Sequence, residues 1–245
     1  MTSVEDWSME MLAKVIYVKN NDISEKCKNE LVDSLKRYNW DYEVVCGVTP
    51  RTLKGREFPW SDLPNGRLES FRENIDPNEK RKYKIKKSCL FNNLRFAYEV
   101  VKANETMIFL EHDVKITDSM PSSIDVKHFC FLNMDNAFKS PSTLARPRFY
   151  KWYDDHKHKL GCQEFPDDYP LKYYKNSRYY GMNMTPGTSA YMLTPEGGEK
   201  ILKAAEEHGL EQSDFIYNSE NLCLQYMYPS PLKFQNINPN LSHTL

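Results

Sequence analysis

Thr106-Met-Ile-Phe-Leu-Glu-His-Asp-Val-Lys-Ile116 is a short apolar run that ends in two carboxylates, Glu111 and Asp113, separated by a single residue. Its length and composition are those of a buried strand. Two acids at the end of a core strand carry a desolvation cost unless positive charge meets them, and a divalent cation commonly supplies it. On this segment alone, the alternative is that the strand stops and both acids face water. If the strand pattern persists, His112 points away from its two neighbours and serves as a local hydrogen-bonding residue.

The flanking sequence alternates strand and helix patterns. Ala13-Lys-Val-Ile-Tyr-Val18 reads as a first strand. A helix follows, with Asp22 and Glu25 placed as a capping box and Cys27, Leu31, Leu35 and Tyr38 on one face. Asp41-Tyr-Glu-Val-Val-Cys46 is a second strand, which makes the opening a parallel βαβ unit. Residues 50–80 read as loop, and Lys80 to Lys87 is a strongly basic run ahead of a helix from Ser88 to Ala103. Further strands are expected over Val126–Leu132 and Gly187–Leu193. Thr194 then caps a helix that has Pro195 at its first position, runs to about His208 and stops at Gly209. An apolar stretch, Leu222 to Tyr228, and a tail through Gln235 close the pattern. The expected fold is α/β with a mainly parallel sheet, and ligands in such sheets bind beyond the carboxyl ends of the strands. Glu111 and Asp113 occupy such an end.

Composition narrows the classes. The 245 residues are 40% hydrophobic and 13% aromatic, which describes a folded globular protein, here read as a single domain over 1–245. A net charge of −1 excludes a globally basic nucleic-acid binder but not a local basic patch. Nine glycines and no repeat argue against solenoid, collagen-like and disordered chains. The six cysteines are scattered, several within apolar runs, and the acidic N-terminus lacks the apolar core of a signal peptide. No run has the length to span a bilayer. These features point to a soluble, cytoplasmic protein.

Three segments in order resemble the glycosyltransferases of family 25, the lipopolysaccharide-biosynthesis and collagen-galactosyltransferase type. They are Lys14-Val-Ile-Tyr-Val-Lys-Asn20, then Ser88-Cys89 leading to Ile108-Phe-Leu-Glu-His-Asp-Val114, then Gly187-Thr-Ser-Ala-Tyr-Met-Leu-Thr-Pro-Glu-Gly197. Asp214 and Pro231-Leu-Lys-Phe-Gln235 follow, the latter similar to the family's closing Pro-Leu-x-x-Gln. The chain departs from the pattern at Asn92-Asn93, where the family has Ser-His, at the basic run before Cys89, and at His112 within the acidic motif.

The resemblance implies a GT-A fold, Rossmann-like, with an irregular insertion over 135–180. It implies a nucleotide-sugar and metal-binding half at 13–132 and an acceptor-side half at 133–245. The donor would be a nucleotide diphosphate sugar, expected to be UDP-linked, contacted by Val18, Lys19 and Asn20 at the end of the first strand. A divalent cation, Mn²⁺ or Mg²⁺, would be held by Asp113 and Glu111, with His243 as a late additional ligand. Transfer would invert the anomeric centre, and Asp214 would be the general base, Glu111 being the other carboxylate of the catalytic centre.

Each assignment has a plainer counterpart. Asp214 also reads as a helix N-cap, His243 as an exposed tail residue, Lys19 and Asn20 as a polar turn, and the basic run as a solvated face. The residues Tyr169, Tyr173, Tyr174, Tyr179 and Tyr180, mixed with Arg146, Arg148, Lys172, Lys175 and Arg178, suit either stacking on sugars or bases, or a loop anchored by aromatics. Two acceptors fit: a surface glycan, or a 5-hydroxymethylcytosine base in bacteriophage DNA. The alternative function is a catalytically inactive nucleotide- or glycan-binding module of the same fold.

Overall fold

A computed structural model describes residues 11–52, 80–120, 124–137, 145–157, 159–173, 179–208 and 213–235. The chain opens with β1 (Ala13–Tyr17), α1 (Asp22–Arg37) and β2 (Tyr42–Cys46). Strands β1 and β2 are parallel, as the βαβ reading requires. The cap of α1 differs from the expected box. Asn21 is the N-cap, its side chain accepting from the Ser24 N–H at 2.9 Å, and Asp22 is already helical. The box reaches one residue further back, because Glu25 accepts from the Asn20 N–H at 2.9 Å. Asn20 itself adopts φ 61°, a left-handed turn conformation that Asn tolerates well.

Helix α2 spans Lys80–Ala103, so the basic run is the helix's first two turns rather than a segment ahead of it. It leads into β3 (Met107–Glu111), then β4 (Val114–Ile116) and β5 (Phe129–Phe131). The part of the chain read as an irregular insertion contributes α3 (Ala145–His156) and β6 (Gly161–Glu164). Then come β7 (Ala190–Leu193), α4 (Pro195–His208), α5 (Ser213–Ile216), β8 (Leu224–Tyr228) and β9 (Leu232–Phe234). Thr194 caps α4 as its sequence indicates, accepting from the Gly197 N–H at 3.1 Å. Gly209 lies outside the described residues.

Seven strands form one sheet in the order β2-β1-β3-β7-β5-β8-β6, and β4 pairs with β9 in a separate two-stranded sheet. Only β7 and β6 oppose the other five strands. The α/β class with a mainly parallel, helix-flanked sheet is therefore what the chain forms.

Alternation along each strand divides the core between the two faces. Phe109, Tyr191, Phe129 and Phe131 face α2 and α4, while Ile108, Leu110, Ala190 and Met192 join Leu31 and Leu35 of α1. Helices α2 and α4 approach closely because Gly198 has no side chain. A Cβ there would stand 2.8 Å from Val101 and 2.9 Å from the Ala97 carbonyl. None of the six cysteines is in a disulfide. Among the described residues no helix is long and apolar enough to cross a membrane.

Candidate functional site

The ends of β1 and β3, the loop after β2 and the inward face of α2 enclose a cleft of about 160 Å³. It lies beyond the carboxyl ends of three adjacent parallel strands, where α/β sheets place ligands. Glu111 and Asp113 both line it. Asp113 is buried, at 4% exposure. His112 lines the cleft as well, contrary to the strand alternation. The reason is local: β3 ends at Glu111, and residues 112 and 113 form a turn into β4, so the two-residue period stops before His112. The His112 N–H still donates to the Ile16 carbonyl at 3.0 Å, which ties the turn to β1.

The acidic turn is fastened from the other end of the chain. Strand β9 pairs with β4 in antiparallel register, Phe234 opposite Val114. The Gln235 N–H donates to the Asp113 carbonyl at 2.7 Å. The Gln235 Nε2 donates to the carbonyls of Cys27 at 2.7 Å, Val114 at 2.9 Å and His112 at 3.1 Å.

Two walls of the cleft were not singled out by sequence as binding elements. Gly47 packs where a Cβ would stand 2.9 Å from Ile16 Cγ2 and 3.1 Å from the Tyr17 carbonyl. After it, Val48 is held by Asn92 of α2, whose Oδ1 accepts from the Val48 N–H at 2.7 Å and whose Nδ2 donates to the Val48 carbonyl at 3.2 Å. Asn93, the next residue, accepts from the Tyr191 hydroxyl at 2.6 Å, and that hydroxyl lies 3.1 Å from Tyr217. Burial raises the Tyr191 hydroxyl pKa well above the ordinary range, with the Tyr217 hydroxyl and the Glu111 carboxylate adding to the shift. The Asn-Asn departure was legible in the sequence, but its partner on the β2 loop was not.

Of the first-strand candidates, Val18 lines the cleft, and its N–H donates to Ser24 Oγ at 2.8 Å. Lys19 and Asn20 are exposed on the turn beyond it, and Asn21 supplies the cleft wall instead. Asp214 is the second residue of α5, inside the helix rather than at its N-cap. Ser213 beside it lies 3.2 Å, hydroxyl to hydroxyl, from Thr188. The next residue, Ser189, accepts from the Glu111 N–H at 2.8 Å, so the α5 backbone begins at the same end of the sheet as the acidic turn. His243 lies outside the described residues.

In the basic run, Ile85 turns into the cleft while Lys84 and Lys86 are exposed, as a solvated helix face requires. The tyrosine cluster departs from a stacking surface. Among its described members Tyr169, Tyr173 and Tyr179 are buried and Tyr180 is exposed: Tyr169 packs against Phe149 and Trp152 of α3, and the Tyr173 and Tyr179 rings lie 5.6 Å apart. Tyr169 stacks on Phe165 at 4.2 Å and meets Trp152 edge-on at 5.0 Å. Tyr174, Lys175 and Arg178 lie outside the described residues.

Among the described residues no group of three or more His, Cys, Asp or Glu side chains could hold a metal ion alone. No Lys or Arg is among the described residues lining the cleft. The described wall carries two carboxylates, Glu111 and Asp113, and the imidazole of His112.

No family model and no curated protein sequence matches this chain. Among solved structures, it is similar to a glycosyltransferase involved in the glycosylation of the major capsid of PBCV-1, with a TM-score of 0.30 and 10% identity over 81% of this chain and 68% of that one.

Proposed function

We propose that the chain is a glycosyltransferase of GT-A type that moves a sugar from a nucleotide diphosphate sugar to an acceptor hydroxyl. The observation that carries this reading is the placement of two carboxylates, Glu111 and Asp113, in a cleft at the carboxyl end of the sheet. Such a wall repels a bare diphosphate but holds one that arrives with a divalent cation. Mg²⁺ and Mn²⁺ sites at phosphates commonly use one or two carboxylates, substrate oxygens and water, so these residues fit an ion shared with the donor rather than one caged by protein. Bound there, the cation would neutralise charge on the departing diphosphate.

The chain's own groups would divide the work. Asp113 and Glu111 would hold the cation that meets the diphosphate of the donor, and Gly47 and Val48 would let the nucleotide lie against β1 and β2. Asp214 takes the proton from the acceptor hydroxyl as the sugar is transferred with inversion. Residues 13–132 serve the donor and 133–245 the acceptor. The acceptor is a glycan or a hydroxymethylated DNA base, and the buried Tyr169, Tyr173 and Tyr179 offer a stacking surface to neither.

The test is release of nucleotide diphosphate from a panel of nucleotide sugars, uridine diphosphate donors first, with Mn²⁺, with Mg²⁺ and with chelator. Glycan acceptors and hydroxymethylated duplex DNA are added in parallel. Metal-dependent release that one of these acceptors accelerates is expected. Acceleration by DNA, with steeply salt-dependent duplex binding, selects the base acceptor over the glycan. No release from any donor overturns the proposal.

A further inference from the structure

We infer that Gln235 is a positioning residue for the Asp113 carboxylate, and that its hydrogen bonds to the acidic turn set the affinity of that turn for its cation. This rests on the metal–diphosphate reading above and names a residue that acts on that site without touching its ligand.

Gln235 meets three consecutive carbonyls: its side chain donates to His112 and Val114, and its backbone N–H donates to Asp113. The His112 and Asp113 carbonyl directions fix the peptide planes on both sides of the Asp113 Cα, and with them the direction of its Cα–Cβ bond. The opposite end of the turn is fixed by the bond from the His112 N–H to the Ile16 carbonyl. All three partners of the Gln235 side-chain nitrogen are carbonyl oxygens, so only the donor end of the amide satisfies them. Two N–H bonds shared among three acceptors is a bifurcated arrangement. The third acceptor, Cys27, belongs to α1, so the same amide holds the acidic turn against the helix that follows β1. A turn whose carboxylate must coordinate an ion gains from being fixed before the ion arrives, since outer groups that orient ligands control affinity.

Gln235→Met keeps the length of the side chain and the backbone bond to Asp113 but removes both side-chain donors. Leu232→Ala is the structural comparison, because Leu232 is buried in β9 and takes no part in the turn's hydrogen bonds. Binding is read as loss of the free-ion Mn²⁺ resonance signal in the presence of uridine diphosphate, with melting temperature measured on the same samples. Gln235→Met is expected to weaken Mn²⁺ binding about 10–100-fold. Leu232→Ala is expected to lose more melting temperature and much less affinity. Equal affinity in wild type and Gln235→Met, or an equal loss in Leu232→Ala, overturns the inference.

If Gln235→Met fails to fold, wild-type hydrogen exchange decides, because coupling is reciprocal. Mn²⁺ with uridine diphosphate must then slow exchange of the Gln235 amide, and unchanged exchange overturns the inference. Wild-type protein that binds no Mn²⁺ overturns the metal reading itself, and this inference with it.

Discussion

Asn92 holds Val48 by both halves of its amide, accepting from the Val48 N–H at 2.7 Å and donating to the Val48 carbonyl at 3.2 Å. A side chain on α2 thereby does what a neighbouring strand would do, and it fixes the loop after β2 as a wall of the cleft. Asn92→Ala removes both bonds, each worth a net ~0.5–1.5 kcal/mol. The expected result is a melting temperature lower by about 2–4 °C per kcal/mol lost, together with a higher KM for the donor. Asn92→Asp is expected to be worse, since it keeps the acceptor but sets a negative charge against the Val48 carbonyl. Thermal melts and donor titrations read both.

Gly47 is a second test of the same wall. A Cβ at 2.9 Å from Ile16 and 3.1 Å from the Tyr17 carbonyl forces a shift of the cleft floor. Gly47→Ala is expected to cost about 1–3 kcal/mol of stability through overpacking, visible in urea melts, and to weaken donor binding. A variant with unchanged stability and donor affinity would show that the loop does not shape the site.

Glu111 and Asp113 line one cleft at the carboxyl end of the sheet. Neutralising either should therefore remove function without removing stability, the trade-off expected where a site is built from like charges. Asp113→Asn and Glu111→Gln are expected to keep the wild-type melting temperature without metal, or exceed it. Each is expected to lose at least about 100-fold in turnover, the upper range seen even for groups that only orient a metal's ligands. Intact turnover in Asp113→Asn would leave the chain as a binding module rather than an enzyme.

The alkaline limit of the fold follows from its tyrosines. Burial raises the hydroxyl pKa values of Tyr169, Tyr191 and Tyr217 above the ordinary value. A folded-state value above the unfolded one means that the native state holds these protons more tightly. Their contribution is fully present below the unfolded pKa of about 10 and is lost as pH rises from there through the folded value. Urea melts should show stability flat up to that pH and falling beyond it. In a phenolate absorbance titration these three rings should ionise only as the chain unfolds.

Much of the scaffold was legible in the residues. The spacing of Cys27, Leu31 and Leu35 marks the buried face of α1, and Thr194-Pro195 marks the start of α4, because both signals are complete within a few residues. The same locality misled at His112, where alternation continues on paper but the strand has ended. At Tyr169, Tyr173 and Tyr179 it left both stacking and a loop anchored by aromatics open, and their burial favours the anchor. Whether Tyr169 is inside depends on Phe149 and Trp152 of α3 packing against it, and no spacing within residues 169–179 contains that information.

By itself, the sequence determined the strand–helix alternation, the parallel opening unit and the placing of Glu111 and Asp113 at a strand's carboxyl end. Those follow from side-chain periodicity and local capping chemistry. The tertiary structure decided what surrounds the acids: a loop held by Asn92, a floor packed closely against Gly47 and the strand that carries Gln235 to the turn. These are contacts between segments distant in the chain, set by sheet order and register, and the residues that make them carry no local mark of the partner they will meet.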